Sequence, residues 1–201
     1  MPLSHRKKRP LDRTVNHLRD TRLIVIATEG EQTESQYFSM FRSSRVQVRV
    51  IPSEGGRSSP QHVLERLDAY RDEFQIGGDD ELWLMIDVDR WGNAKLSQVC
   101  KQASRKGYHL AVSNPCFELW IYLHFFDLID PPMKCAEYER QIRAHLGSYN
   151  KSNLSVEPLR PRVPDAIQRA RQAAKPDHLW PASAGTDVYR VVEKIHSLPS
   201  S

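Results

Sequence analysis

The chain has 201 residues, enough for one domain with a continuous core, with or without a small helical appendage. Its 29 Lys and Arg against 25 Asp and Glu give a net charge of +4, which excludes a histone-like protein and makes any nucleic-acid contact local. The three cysteines are odd in number and lack a Cys-x-x-Cys pair, which argues against a disulfide framework and a zinc ribbon and favours a reducing cytoplasm.

Residues 1–20 are basic and contain no apolar stretch, so they do not resemble a secretory signal. This pattern is typical of a flexible basic arm that tracks phosphates, or of a solvated tail without a role. The most apolar segment, residues 117–129, is too short to span a bilayer and carries charged side chains. We therefore expect a cytoplasmic protein without a membrane segment.

Residues 22–28 form a continuous apolar run that ends at Glu29, which predicts a strand buried on both faces. Thr33 and Gln36 resemble a capping box and predict a helix over residues 33–42. Further strands are predicted from apolar or alternating patterns, and further helices from capping residues and apolar stripes. The strands are predicted at 46–52, 81–87 and 108–113, and the helices at 60–74, 94–106, 117–129, 134–145, 164–175 and 185–196.

Strands that alternate with helices indicate an α/β fold, because parallel strands need long right-handed connections that cover both faces of a sheet. The prediction is a doubly wound, mainly parallel four-stranded sheet with helices on both faces. Three regions are expected: a basic flexible arm at 1–20, a catalytic core at 21–130, and a helical C-terminal extension at 131–201 that packs on the core.

Acidic residues follow the predicted strands where an active site is expected, outside the carboxyl ends of the sheet. Glu29 follows the first strand, and Asp87 and Asp89 follow the third, two residues apart and therefore on the same side. Converging carboxylates repel one another unless a cation neutralises them, and Mg²⁺ prefers oxygen ligands. We predict that these three residues hold Mg²⁺; the alternative is that they are ordinary polar loop residues.

Asn114 and Glu118 lie beside this predicted site and are further catalytic candidates. Asn114 could orient a phosphate or water and Glu118 could supply another carboxylate, or both could only cap the helix that follows. Glu34 could likewise belong to the site or could be only a favourable charge at the N-terminus of the first helix. Lys151 could neutralise phosphate charge or be ordinary surface, and His124 is interpreted as a core histidine.

Residues 24–31 and 86–89 resemble the two signature segments of the Toprim fold. The chain is similar to the RloB-like family over roughly residues 22–195. The similarity lies in residues 28–34 with 37–38, residues 86–89, and residues 113–120 with 123–125, which match that family's motifs in the same order. The Toprim resemblance implies that Glu29 is a general acid or base and that Asp87 and Asp89 bind Mg²⁺, with Mn²⁺ as a substitute.

The family resemblance also implies an activity. RloB-like proteins are associated with phage defence and abortive infection, commonly beside an AAA-type ATPase, which implies a nuclease that acts on RNA, tRNA included, or on DNA. The chain lacks the length for the extra domains of a topoisomerase or a bacterial primase. The alternatives are a catalytically silent nucleic-acid-binding adaptor and a haloacid-dehalogenase-type phosphatase, although that family places its Asp-x-Asp after the first strand. The sequence leaves the oligomeric state open.

Overall fold

The computed structural model describes residues 21–41, 43–89, 91–175 and 178–196, so the predicted basic arm at 1–20 lies outside the described residues. Within these ranges, no helix is long and apolar enough to cross a membrane. The strands form one sheet in the order β2-β1-β3-β4-β5. They are β1 (Arg22–Thr28), β2 (Val46–Ile51), β3 (Glu81–Asp87), β4 (His109–Asn114) and β5 (Gly185–Thr186).

Seven α-helices are present within the described ranges. They are α1 (Thr33–Phe38), α2 (Pro60–Glu73), α3 (Asn93–Arg105), α4 (Phe117–Tyr122), α5 (Cys135–Leu146), α6 (Val163–Ala173) and α7 (Val188–His196).

The register of the sheet brings the acidic strand ends together. The first four strands are parallel, and only β5 runs antiparallel, against β4. Thr28 pairs with Met85 and Asp87 pairs with Ser113, so β1, β3 and β4 end at the same edge. The residues that follow these strands therefore share one crevice, as expected for a parallel sheet.

Helices cover both faces of the sheet, as predicted. Side chains alternate along β1, so that Leu23 and Val25 face one cluster and Ile24 and Ile26 face the other. The first cluster is completed by α2 and α3, and the second by α1, α4, α5, α6 and α7. All four β1 side chains are almost fully buried, which explains the continuous apolar run in the sequence.

The predicted count of four strands is wrong, because β5 lies in a region that the sequence pattern assigned to a helix. β5 has two residues, too few to give an alternating pattern. It is held by tertiary contacts: Ser113 Oγ lies 2.9 Å from Thr186 Oγ1, and the Asp187 backbone N–H donates to Val112 O over 2.8 Å. The last helix accordingly begins at Val188 rather than at residue 185.

Two predicted helices are shorter in the structure. The apolar segment 117–129 is helical only in α4, since its hydrophobicity reflects burial rather than a long helix. The first helix ends at Phe38, and the predicted capping box is wrong because its side chains make tertiary contacts instead. Thr33 Oγ1 donates to Lys151 O over 3.0 Å, and Gln36 Nε2 donates to Ser152 O over 2.9 Å.

Candidate active site

A cleft of about 480 Å³ opens where β1, β3 and β4 end, between the N-terminal ends of α1, α4 and α5. Acidic side chains dominate its lining, and one cation, Lys151, is among them. Glu29, Asp87, Asp89 and Glu118, all predicted as site residues, line the cleft, and so do Glu31, Glu34 and Glu139.

Glu29 is buried at the base of this cleft and is held by two donors. The Asp87 backbone N–H donates to its Oε2 over 2.9 Å, and the Trp91 indole N–H donates to its Oε1. Only 7% of Glu29 is exposed. These bonds orient the carboxylate and connect the end of β1 to the end of β3.

Glu34 folds back over the turn between β1 and α1. Its Oε1 accepts the Gly30 backbone N–H over 3.0 Å, and a Cβ at position 30 would collide with this carboxylate. Glycine at position 30 leaves room for this close approach, and a larger residue would have to displace the carboxylate. Burial raises the pKa of Glu34, and the negative charge of Glu118 adds to this effect.

Asp87 is the most electrostatically crowded carboxyl group of the cleft. Burial raises its pKa well above its ordinary value, and the charges of Glu29, Glu34 and Glu118 raise it further. Asp89 is exposed at the rim, where its backbone N–H donates to Pro115 O over 3.1 Å. The crowding that the sequence predicted is thus present in the structure.

Glu118 projects from the first turn of α4 and is paired with a cation. Lys151 Nζ lies 2.7 Å from Glu118 Oε1 and 2.8 Å from Glu139 Oε1 on α5. Burial alone would lower the pKa of Lys151, but the two carboxylates together raise it. The Tyr149 hydroxyl also donates to Glu118 Oε1 over 3.4 Å. Lys151 is therefore a member of the cleft rather than ordinary surface.

Asn114 does not reach this cleft. Its Nδ2 donates to Pro181 O over 2.9 Å, and its side chain lines a separate cavity behind Val88. The prediction that it caps α4 is wrong, since Cys116 occupies the N-cap position without a side-chain cap bond. Of the five predicted site residues, the structure brings four together and leaves Asn114 apart.

The expectation of unpaired cysteines is wrong for two of the three. Cys116 and Cys135 form a disulfide with Cα atoms 6.0 Å apart, and both line the cleft, whereas Cys100 is buried and free. They are 19 residues apart in sequence. No spacing motif in the sequence marks this pair, because the fold of the segment between α4 and α5 is what brings Cys135 next to Cys116.

The chemistry of the cleft fits a hard cation such as Mg²⁺, since its potential ligands are carboxylate oxygens that repel one another. Within the described ranges, however, no group of three or more His, Cys, Asp or Glu side chains is arranged to hold a metal ion. Glu29, Glu34 and Glu118 each point to a donor of the protein itself. A cation bound at these oxygens would share them with those donors or displace the donors.

Several residues of the site were missed by sequence reasoning. Trp91 follows Asp89 by two residues and could have been suspected from that proximity. Glu139 lies in an ordinary amphipathic helix, and no signal in the sequence connects it with Glu118. The contact through Lys151 exists only because residues 149–152 pack against α1.

A comparison with protein-family models matches residues 24–195 to the family described as RloB-like protein. Searches of curated proteins and of solved structures found no match.

Proposed function

Because the chain belongs to the RloB-like family, we propose that it is a Mg²⁺-dependent nuclease with a Toprim-like core. Its substrates would be phosphodiesters of RNA, tRNA included, or of DNA. It would act in the cytoplasm as the effector of a phage-defence or abortive-infection system, together with an AAA-type ATPase. The resemblance of residues 24–31 and 86–89 to the Toprim signature segments supports the reaction type.

The observation that carries this proposal is the crowding of carboxylates around Asp87. Burial and three neighbouring carboxylates raise its pKa, so the folded chain brings negative charges together at an energetic cost. Strongly perturbed carboxyl groups in a cleft are enriched at functional sites, and a bound cation would offset the repulsion among them. A cleft of about 480 Å³ can admit a phosphate group beside these carboxylates.

In this proposal Glu29, Asp87 and Asp89 would hold the cation. Bound Mg²⁺ would supply charge neutralisation at the phosphate and an activated water. Glu29 would transfer a proton as general acid or base, because its carboxylate is oriented by the Asp87 backbone N–H and the Trp91 indole. Lys151 would hold Glu118 in place and bring a positive charge to a cleft that must accept an anionic substrate.

The test compares Asp89→Asn and Asp87→Asn with the control Asp79→Asn. Asp79 is exposed and lies just before β3 begins, at the end of the strand opposite to Asp87. The full chain, alone and with its ATPase partner, is incubated with tRNA, other RNA and DNA in Mg²⁺ or Mn²⁺. We expect cleavage by the wild type and by Asp79→Asn but not by the two cleft variants. If no substrate is cleaved by the wild type with its partner present, or if Asp89→Asn cleaves normally, the proposal is refuted.

A second candidate function is a nucleic-acid-binding adaptor without catalysis. The specific observation in its favour is that, among the described residues, the carboxylates bind protein donors and form no ready group of metal ligands. Such an adaptor would bind nucleic acid with strong salt dependence. Its binding would be unchanged by Asp87→Ala or by a chelator, whereas a nuclease would lose Mg²⁺-dependent cleavage in both cases.

A further inference from the structure

The disulfide joins two walls of the carboxylate cleft. Cys116 immediately precedes α4, which carries Glu118, and Cys135 is the first residue of α5, which carries Glu139. The bond therefore fixes the N-terminal end of one helix against that of the other. Between the two cysteines, the chain runs through α4 and a segment without regular secondary structure up to α5.

A second, non-covalent link connects the same two walls. Lys151 bridges Glu118 and Glu139 with distances of 2.7 and 2.8 Å, and 47% of its side chain is exposed. An ion pair with a half-exposed lysine is weakened by solvent and by salt. The disulfide is therefore the stronger of these two links. Tyr138, in the first turn of α5, also packs against Tyr122 of α4 with ring centroids 5.1 Å apart, and this contact remains after reduction.

The two cysteines differ in exposure. Cys116 is 3% exposed, whereas Cys135 is partly exposed at the rim. The Cys135 sulfur also lies 3.4 Å from Asp89 Oδ2. A disulfide sulfur carries no hydrogen, so this contact is not a hydrogen bond while the disulfide is intact. The more exposed Cys135 is the residue that an attacking thiol would meet first, and Cys116 would then be the leaving group.

We propose that Cys116–Cys135 is a thiol–disulfide exchange site, and that its reduction frees the first turn of α5 and opens the carboxylate cleft. The co-reactant is a small-molecule dithiol or a dithiol protein. In the exchange, one dithiol is oxidised to its disulfide, the Cys116–Cys135 bond breaks, and each cysteine sulfur gains one hydrogen. The proposed opening concerns the cleft itself; only its effect on cleavage depends on the proposed nuclease function.

The test uses the full chain with Cys100→Ala, so that only these two cysteines remain. The protein is equilibrated with glutathione disulfide or with dithiothreitol, alkylated under denaturing conditions and analysed by mass spectrometry. Amide hydrogen exchange of residues 135–139 is then compared between the two states, with α2 as internal reference. We expect no alkylation after oxidation, two alkylated thiols after reduction, and exchange at least about tenfold faster after reduction.

Two results would overturn the proposal: two free thiols after oxidation, or equal exchange of residues 135–139 in both states. In the double variant Cys116→Ser/Cys135→Ser, the amide hydrogens of residues 135–139 should exchange as fast as in the reduced protein. Dithiothreitol should not change this rate. If this variant does not fold, reduction and reoxidation of the parent protein give the same comparison. Cleavage of RNA and DNA is measured last and should be faster after reduction. Faster exchange without cleavage in either state, with the ATPase partner present, refutes the proposed nuclease and supports the exchange site.

Discussion

His124 makes the stability of this fold depend on pH, and the size of the effect follows from its surroundings. The ring is fully buried directly after α4; Nδ1–H donates to Trp120 O over 3.0 Å, and Nε2 accepts the Tyr37 hydroxyl over 3.2 Å. Burial lowers its pKa from 6.5 to about 4, and nearby Arg169 adds to this effect. Its interpretation as a core histidine is confirmed.

The sign of the effect follows from the lowered pKa. His124 takes up a proton below about pH 6.5 in the unfolded chain but only below about pH 4 in the folded chain. The contribution of His124 to the free energy of unfolding is therefore complete above pH 6.5 and is lost as the pH falls toward 4. The full contribution is about 3 kcal/mol, of which about 2 kcal/mol is lost between pH 8 and pH 5. Protonation of Nε2 would also remove the acceptor of the Tyr37 hydroxyl on α1, the helix that carries Glu34.

The assay is urea unfolding of the wild type and of His124→Gln at pH 8, 7, 6 and 5. The glutamine cannot titrate, so the free energy of unfolding of the wild type relative to the variant should fall by about 2 kcal/mol over this range. His196→Gln, at an exposed histidine of α7, is the matched control. Parallel pH curves for wild type and His124→Gln would refute the reasoning.

Three further predictions concern the cleft and are measured by urea unfolding at pH 8 without divalent metal. Lys151→Met should lower the free energy of unfolding by about 1–2 kcal/mol, since it leaves buried Glu118 without its cation, although the lysine is half-exposed. Gly30→Ala should lower it by a similar 1–2 kcal/mol, roughly the cost of displacing the Glu34 carboxylate from its backbone donor. Asp87→Asn should raise it by about 1 kcal/mol, because it removes a buried charge that its neighbours repel.

Matched substitutions keep these results interpretable. Lys101→Met removes an exposed lysine of α3, and Gly78→Ala adds a Cβ that meets nothing within 4 Å; neither should change stability by more than about 0.5 kcal/mol. For Asp87→Asn, added Mg²⁺ should stabilise the wild type more than the variant. A destabilised Asp87→Asn, or a Gly30→Ala as stable as Gly78→Ala, would contradict the corresponding electrostatic or steric argument.

The parts of the site that the sequence predicted are those fixed by local pattern. A central strand of a parallel sheet is a continuous apolar run, and the first acidic residue after that run marks its carboxyl end, so Glu29 and Asp87 could be assigned without coordinates. Their proximity then follows from the parallel register of β1 and β3. The same logic failed for Asn114, because the last residue of β4 points its amide to Pro181 instead of the crevice.

The parts that the sequence did not predict depend on contacts between distant segments. Thr33 and Gln36 looked like helix caps, but the segment after α5 offers them carbonyl acceptors, and tertiary bonds replaced local ones. The pairing of Cys116 with Cys135 depends on where α5 begins relative to α4, which no periodicity encodes. Short elements such as β5 are defined by their partners and have too few residues for a pattern.

Crowded carboxylates and the absence of a ready metal-ligand group among the described residues have one common explanation. Each buried carboxylate is turned to a donor of the protein: Glu29 to Asp87 N–H and the Trp91 indole, Glu34 to Gly30 N–H, and Glu118 to Lys151. These bonds offset part of the repulsion and let the chain fold with its acidic residues together. The raised pKa of Asp87 marks the charge that remains uncompensated, and it is there that a cation would stabilise the cleft most.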